Sequence, residues 1–282
     1  SSGHNHEATH RQVVPMRIWA TANQKGGVGK TTSAVTLAGV MQKRGYRVLL
    51  VDLDPHGSLT SYFGADPDSV EPSAYDLYQQ ALKNALHTRS AIHKTRFSRL
   101  HFIPASSALA TLDRQLGARD GMGLVIKKAL QQVEDDYDLA IIDCPPMLGL
   151  LMVNALAACH RLLIPVQTEY LALKGLERMV HTLTMIQKAR KQQVNYTIVP
   201  TFFDQRLKAS QETLETLRSD YKERIWEGVI PVDTQFREAS QKGIPLSIQR
   251  ISCKGSRAYS HLLDYLLEQD NASLSVAGGS GA

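Results

Sequence analysis

Apolar and polar positions along this chain come in blocks. Short apolar runs at Ile18–Ala22, Arg47–Pro55, Leu100–Pro104, Leu139–Pro146, Arg161–Val166 and Asn195–Thr201 have the length and composition of strands buried on both faces. Segments of helical period lie between them. Ala34, Leu37, Ala38 and Met41 fall at i, i+3, i+4 and i+7 in a helix over Thr32–Arg44, and Gly45 stands where a glycine ends a helix. Tyr75–Leu86, Leu124–Val133 and Glu169–Arg190 also read as helices, the last through Leu171, Met179, Leu183 and Ile186. This alternation predicts an α/β fold with a doubly wound, mostly parallel sheet. Phe63–Ser98, broken by Gly64, Pro67 and Pro72, reads as an insertion over the sheet edge.

Composition adds bounds. With 282 residues, 43% of them hydrophobic, the chain is long enough for one large α/β domain and ordinary for a globular protein. A balance of 32 Lys+Arg to 27 Asp+Glu permits contact with nucleic acid or an anionic surface without establishing it. Cys144, Cys159 and Cys253 are isolated in sequence, which argues for a reducing compartment and against a metal site. No apolar run approaches a membrane span, so no transmembrane segment and a cytoplasmic location are expected. Residues 1–15 are expected to be a tag or disordered leader ahead of a native start at Met16. Residues 16–270 are expected to form a single domain, and 271–282, rich in Ser, Gly and Ala, a flexible tail.

The chemistry concentrates after the first strand, in Lys25-Gly26-Gly27-Val28-Gly29-Lys30-Thr31-Thr32. Glycines let successive backbone N–H groups turn inward around an anion, and the helix that follows adds its positive end. Strand, glycine loop and helix together are the context of a P-loop. Lys30 is then placed to reach the β- and γ-phosphates of ATP, or the β-phosphate of ADP, and the Thr31 hydroxyl to complete a Mg²⁺ shell. Two further strand ends carry acids: Asp52 and Asp54 close the second run, and Asp143 closes the Leu139–Ile142 run in the manner of a Walker B carboxylate. The plainer alternatives are a helix-capping glycine turn and Asp-Pro turns.

One departure from the standard loop is informative: Gln24 stands where the strict pattern has glycine, and Lys25 adds a second lysine. The stretch Gln24–Thr32 resembles the deviant P-loop of the ParA/MinD ATPases. That resemblance implies an ATP-dependent homodimer in which Lys25 reaches the partner subunit's nucleotide. It implies that Asp54 orients the attacking water, that Asp52 supports the Mg²⁺ shell, and that Pro145-Pro146 belongs to a second switch. His56-Gly57-Ser58 departs from the family's usual Gln-Gly-Asn after Asp54-Pro55. Pro231 and Val232 resemble the segment bordering the adenine. Arg206, Arg237, Arg250, Lys254 and Arg257 would supply a patch for non-specific DNA, dispersed surface charge being the alternative. The implied activity is slow, Mg-dependent, switch-type ATP hydrolysis that positions a cargo with an activating or cargo-adaptor protein, in the cytoplasm, on the nucleoid or at a pole. The phrases Ala22–Lys25 and Asp54–Thr60 look most like the branch that places chemotaxis arrays, with plasmid or chromosome partition second. A metallocluster reductase and a small-molecule kinase are rivals from other classes.

Overall fold

The computed structural model describes residues 14–23 and 29–279, and side chains as far as Ser273. In chain order the elements are β1 (Arg17–Thr21), α1 (Lys30–Lys43), β2 (Val48–Asp52), α2 (Ser58–Tyr62), α3 (Ala74–Leu82), β3 (His93–Lys94), β4 (Leu100–Ile103), α4 (Leu112–Leu116), α5 (Val125–Gln131), β5 (Leu139–Asp143), α6 (Leu150–Ala158), β6 (Arg161–Gln167), α7 (Tyr170–Arg190), β7 (Tyr196–Thr201), α8 (Lys208–Asp220), α9 (Gln235–Lys242), α10 (Leu246–Gln249) and α11 (Lys254–Gly279). The strands form one sheet in the order β3-β4-β2-β5-β1-β6-β7, parallel throughout except for the edge pair β3 and β4.

The expected doubly wound sheet is therefore present, with a core on each face. Leu49, Val51, Ile142 and Ile164 point to the face covered by α3 to α7. Trp19, Leu50, Ile141 and Leu163 point to the face covered by α1 and α11. Side chains alternate across the pleat, so strands apolar at every position feed both cores. α1 and α10 approach closely: a methyl group at Gly39 would collide with Ser247 Oγ, the hydroxyl that donates to Thr36 O at 2.7 Å.

The 63–98 segment supplies α3 and the edge strand β3, in keeping with the expected sheet-edge insertion. At the other end, α11 extends to Gly279, into the stretch expected to be a flexible tail. Asp270 ties this helix to β1 and β6. Its carboxylate accepts from Trp19 Nε1 at 2.9 Å and Arg161 Nε at 3.2 Å and pairs with Arg17, while Asn271 Oδ1 accepts from Arg17 Nη2 at 2.7 Å.

Register places the chemistry. Thr21 and Asp52 both stand opposite Asp143, so three central strands deliver their last residues to one level at the carboxyl edge of the sheet. Open α/β sheets bind ligands at this edge.

Candidate functional site

The loop that turns β1 into α1 carries Lys25, Gly26, Gly27 and Val28, which lie outside the described residues. Its exit is described. Gly29 has φ +81°, a left-handed conformation that favours glycine, and α1 begins at the next residue. Lys30 and Thr31 thus occupy the first turn of a 14-residue helix aimed at the sheet edge, with Thr32 half-buried beside them.

Lys30 is fully buried among carboxylates. Its ammonium donates to Asp143 Oδ1 and lies 3.4 Å from Asp54 Oδ2. The Thr31 hydroxyl donates to Asp143 Oδ2 at 2.7 Å, and Thr21 Oγ1 donates to Oδ1 at 3.2 Å. Burial alone would lower the lysine's pKa, but Asp143, Asp54 and Asp52 outweigh it and hold the ammonium above its ordinary value.

The two acids after β2 take different partners. Asp54 faces Lys30, and its other oxygen accepts from His56 N at 3.0 Å and contacts His56 Nδ1 at 3.2 Å. Asp52 turns to α2: it accepts from Thr60 N at 3.0 Å and Thr60 Oγ1 at 2.7 Å, while Asp54 N donates to its Oδ1 at 3.1 Å. Burial, and then the charge of Asp143, push the Asp52 carboxyl upward. Of the three residues expected at a metal, the structure joins Thr31 to Asp143 and commits Asp52 to the segment that follows Asp54.

The donor set fits magnesium. Thr31 and Asp143 offer hard oxygens, and Mg²⁺ takes one or two such ligands with substrate phosphates and waters completing its shell. A further polar atom is orphaned nearby. Thr201 Oγ1, at the end of β7, is buried without a partner among the described residues and lies 3.6 Å from the position a methyl group on Gly29 would take.

The segment between β5 and α6 leaves the site on a tether that sequence did not reveal. Leu150 N, at the start of α6, donates to Asp113 Oδ1 at 2.5 Å, so a side chain of α4 caps the helix. Met147 and Leu148 are exposed ahead of it, and Tyr170 and Leu171 at the start of α7 are exposed after β6. Burial raises the Cys144 thiol well above its ordinary range, which fits a small buried hydrophobe. Asp113→Ala should cost about 1–2 kcal/mol through the lost cap, lowering the melting temperature by about 2–4 °C per kcal/mol. An unchanged calorimetric melt would show that the cap contributes nothing.

Pro231 and Val232 share one cleft of about 680 Å³ with Arg206, Lys254 and Arg257, so the expected base-binding and basic residues meet. Bonds from Phe203 N to Ile230 O and from Val232 N to Phe203 O strap the cleft to the end of β7. Arg237 and Arg250 do not line it, and Arg206 is paired with Asp204 at 2.9 Å, which holds that carboxyl below its usual range. Sequence reading missed Trp226 and His261 in the lining. It also missed Thr21, Thr60, His56 and Asp113, whose roles appear only through contacts; Thr60 and His56 lay in an already conspicuous run.

Comparison with known proteins gives a consistent picture. Residues 16–196 match the AAA domain family. The chain is 35% identical over 255 residues to the chromosome partitioning protein ParA of Myxococcus xanthus, covering 90% of this chain and 89% of that protein. It is 36% identical over 244 residues to the sporulation initiation inhibitor protein Soj of Bacillus subtilis, covering 86% of this chain and 95% of Soj. Among solved structures, the cobyrinic acid a,c-diamide synthase of Mycobacterium smegmatis with bound ATP analogue and magnesium superposes with a TM-score of 0.77. That pair is 32% identical, covering 92% of this chain and 97% of the other.

Proposed function

The chain belongs to the ParA/Soj family of partition ATPases, and from that premise we propose that it is a nucleotide-timed positioning switch. It binds Mg-ATP, pairs with a second copy of itself, and releases it on slow hydrolysis. The observation that carries this reading is the buried Lys30 ammonium, held by Asp143 and Asp54 at the mouth of α1 with Thr31 on the same aspartate.

Each residue has a proposed task. The α1 amino end and Lys30 hold and neutralise the phosphates, while Pro231 and Val232 border the base. Thr31 and Asp143 would hold Mg²⁺, which when bound neutralises charge that develops on the phosphates. Asp54 orients the attacking water, and Asp52 fixes the α2 segment through Thr60 and so holds Asp54 in place. Lys25 is proposed to cross to the partner's nucleotide, and the exposed Met147, Leu148, Tyr170 and Leu171 support an apolar pairing face. The unit is proposed to be one domain over 16–270, because a single sheet gathers strands from Arg17 to Thr201 and α11 closes over α1.

For the cargo, the chromosome-partitioning relatives support DNA, and Arg206, Lys254 and Arg257 would supply phosphate contacts once the subunits pair. The array-placing branch, to which the Asp54–Thr60 stretch pointed first, becomes the second reading. The test is a titration of random duplex DNA over a range of salt, with and without Mg-ATP. Binding should appear with ATP and weaken steeply with salt, and Lys254→Glu should reduce the salt slope by about 1. Identical binding in both nucleotide conditions would overturn the gated-DNA reading. The same titration separates a DNA-bound switch from the synthase activity named for the Mycobacterium smegmatis protein.

A further inference from the structure

A second groove, of about 370 Å³, lies between the end of α2, the turn from β3 to β4 and the end of α9. Its lining carries Lys94, Arg96 and Lys242, aromatic rings from Tyr62, Phe63 and Phe97, and no acidic residue among the described ones. Arg96 is already employed. Its Nη2 donates to Lys242 O at 2.7 Å and Gly243 O at 3.3 Å, and the guanidinium sits 5.2 Å above the Phe97 ring. It thereby satisfies the carbonyl end of α9, the negative end of that helix, and leaves the exposed Lys94 and Lys242 as the cations presented to solvent.

One wall of this groove is also a sheet edge. β3 is the outermost strand, paired on one side with β4. An outer edge offers backbone N–H and C=O groups to an added strand, the β-addition mode of peptide recognition. We propose that this groove docks an acidic, extended segment of a partner protein, laid along β3 with its carboxylates on Lys94 and Lys242. The outer strand edge favours a peptide over a nucleic-acid backbone, which has no strand to add.

Docking there would reach the site. A methyl group at Gly243, whose φ is +63°, would come within 2.7 Å of Tyr62 O, and Tyr62 OH donates to Ile244 O at 2.9 Å, so the ends of α2 and α9 are in contact. α2 also carries Thr60, the anchor of Asp52. A segment wedged against these ends therefore bears on the loop that carries Asp54. This consequence rests on the switch reading; the binding itself does not.

The test uses the full chain without nucleotide and a fluorescein-labelled decapeptide of alternating Glu and Val, followed by anisotropy at low ionic strength. The Lys94→Glu/Lys242→Glu double variant should weaken binding by about tenfold or more, which is about 1.4 kcal/mol. Lys128→Glu/Lys188→Glu, on α5 and α7 and outside the groove, should change it by less than about twofold. Equal losses in the two variants would reduce the effect to overall charge and overturn the proposal. So would no measurable peptide binding, or a random duplex DNA whose binding is lost in the Lys94/Lys242 variant. None of these results touches the nucleotide site, because no nucleotide is present.

Discussion

Lys30→Ala should abolish measurable ATP binding in calorimetric titration and should also lower the melting temperature of the protein alone. The second effect follows from burial. Removing the lysine leaves Asp143 and Asp54, with Asp52 behind them, facing one another without their central cation. Breaking a buried pair by deleting one partner costs about 3–5 kcal/mol, and a domain of this size loses about 2–4 °C for each kcal/mol. The pH dependence has a definite sign. Asp52 already has its carboxyl raised in the folded state, so its charge penalises folding above the ordinary aspartate range, and protonation relieves that penalty as pH falls. Loss of Lys30 raises it further, so the deficit should be smaller near pH 5 than near pH 8. A variant that binds ATP as tightly as the parent would end the phosphate-cradle assignment, whatever its melting point.

Asp54→Ala should instead spare ligand affinity: binding stays within a few-fold of the parent, hydrolysis falls by about a hundredfold or more, and a dimer accumulates with Mg-ATP on size exclusion. An anionic side chain contributes repulsion, not attraction, to a bound triphosphate, so its removal does not weaken the ground state. What disappears is an oriented acceptor. Asp54 is almost fully buried, with one oxygen toward Lys30 and the other fixed by the His56 backbone amide and ring. Asp54→Asn keeps an acceptor for the His56 amide, so if it is as slow as the alanine variant, the carboxylate charge is responsible. Turnover of Asp54→Ala at the parent's rate would remove the residue from the reaction.

Much of this arrangement was legible because its chemistry sits at the ends of apolar runs. Asp52 and Asp143 each terminate a strand that pattern alone marks, with Asp54 two residues past the first, and in parallel sheets such ends converge, so their meeting follows from topology. What could not be read depends on contacts remote in sequence. Asp113 caps a helix 37 positions away, and nothing local distinguishes it from other surface aspartates. β3 has two residues, too few for any period. α6, Leu-Leu-Met-Val-Asn-Ala-Leu-Ala-Ala, is apolar on nearly every side because it is buried almost throughout, so it shows no stripe. Thr60 was visible in a conspicuous run, yet its hold on Asp52 depends on the turn at Gly57, whose φ is +67°.

The anchoring of α11 bears on how this chain is trimmed for experiments. A cut after Gln269 would strip the acceptor from Arg161 at the start of β6 and from the Trp19 indole and Arg17 of β1, the strand whose opposite end leads into the glycine loop. Such a shortened protein should show weakened nucleotide affinity although Asp270 sits at the far end of β1 from the glycine loop, so truncations meant to leave function intact must retain Asp270.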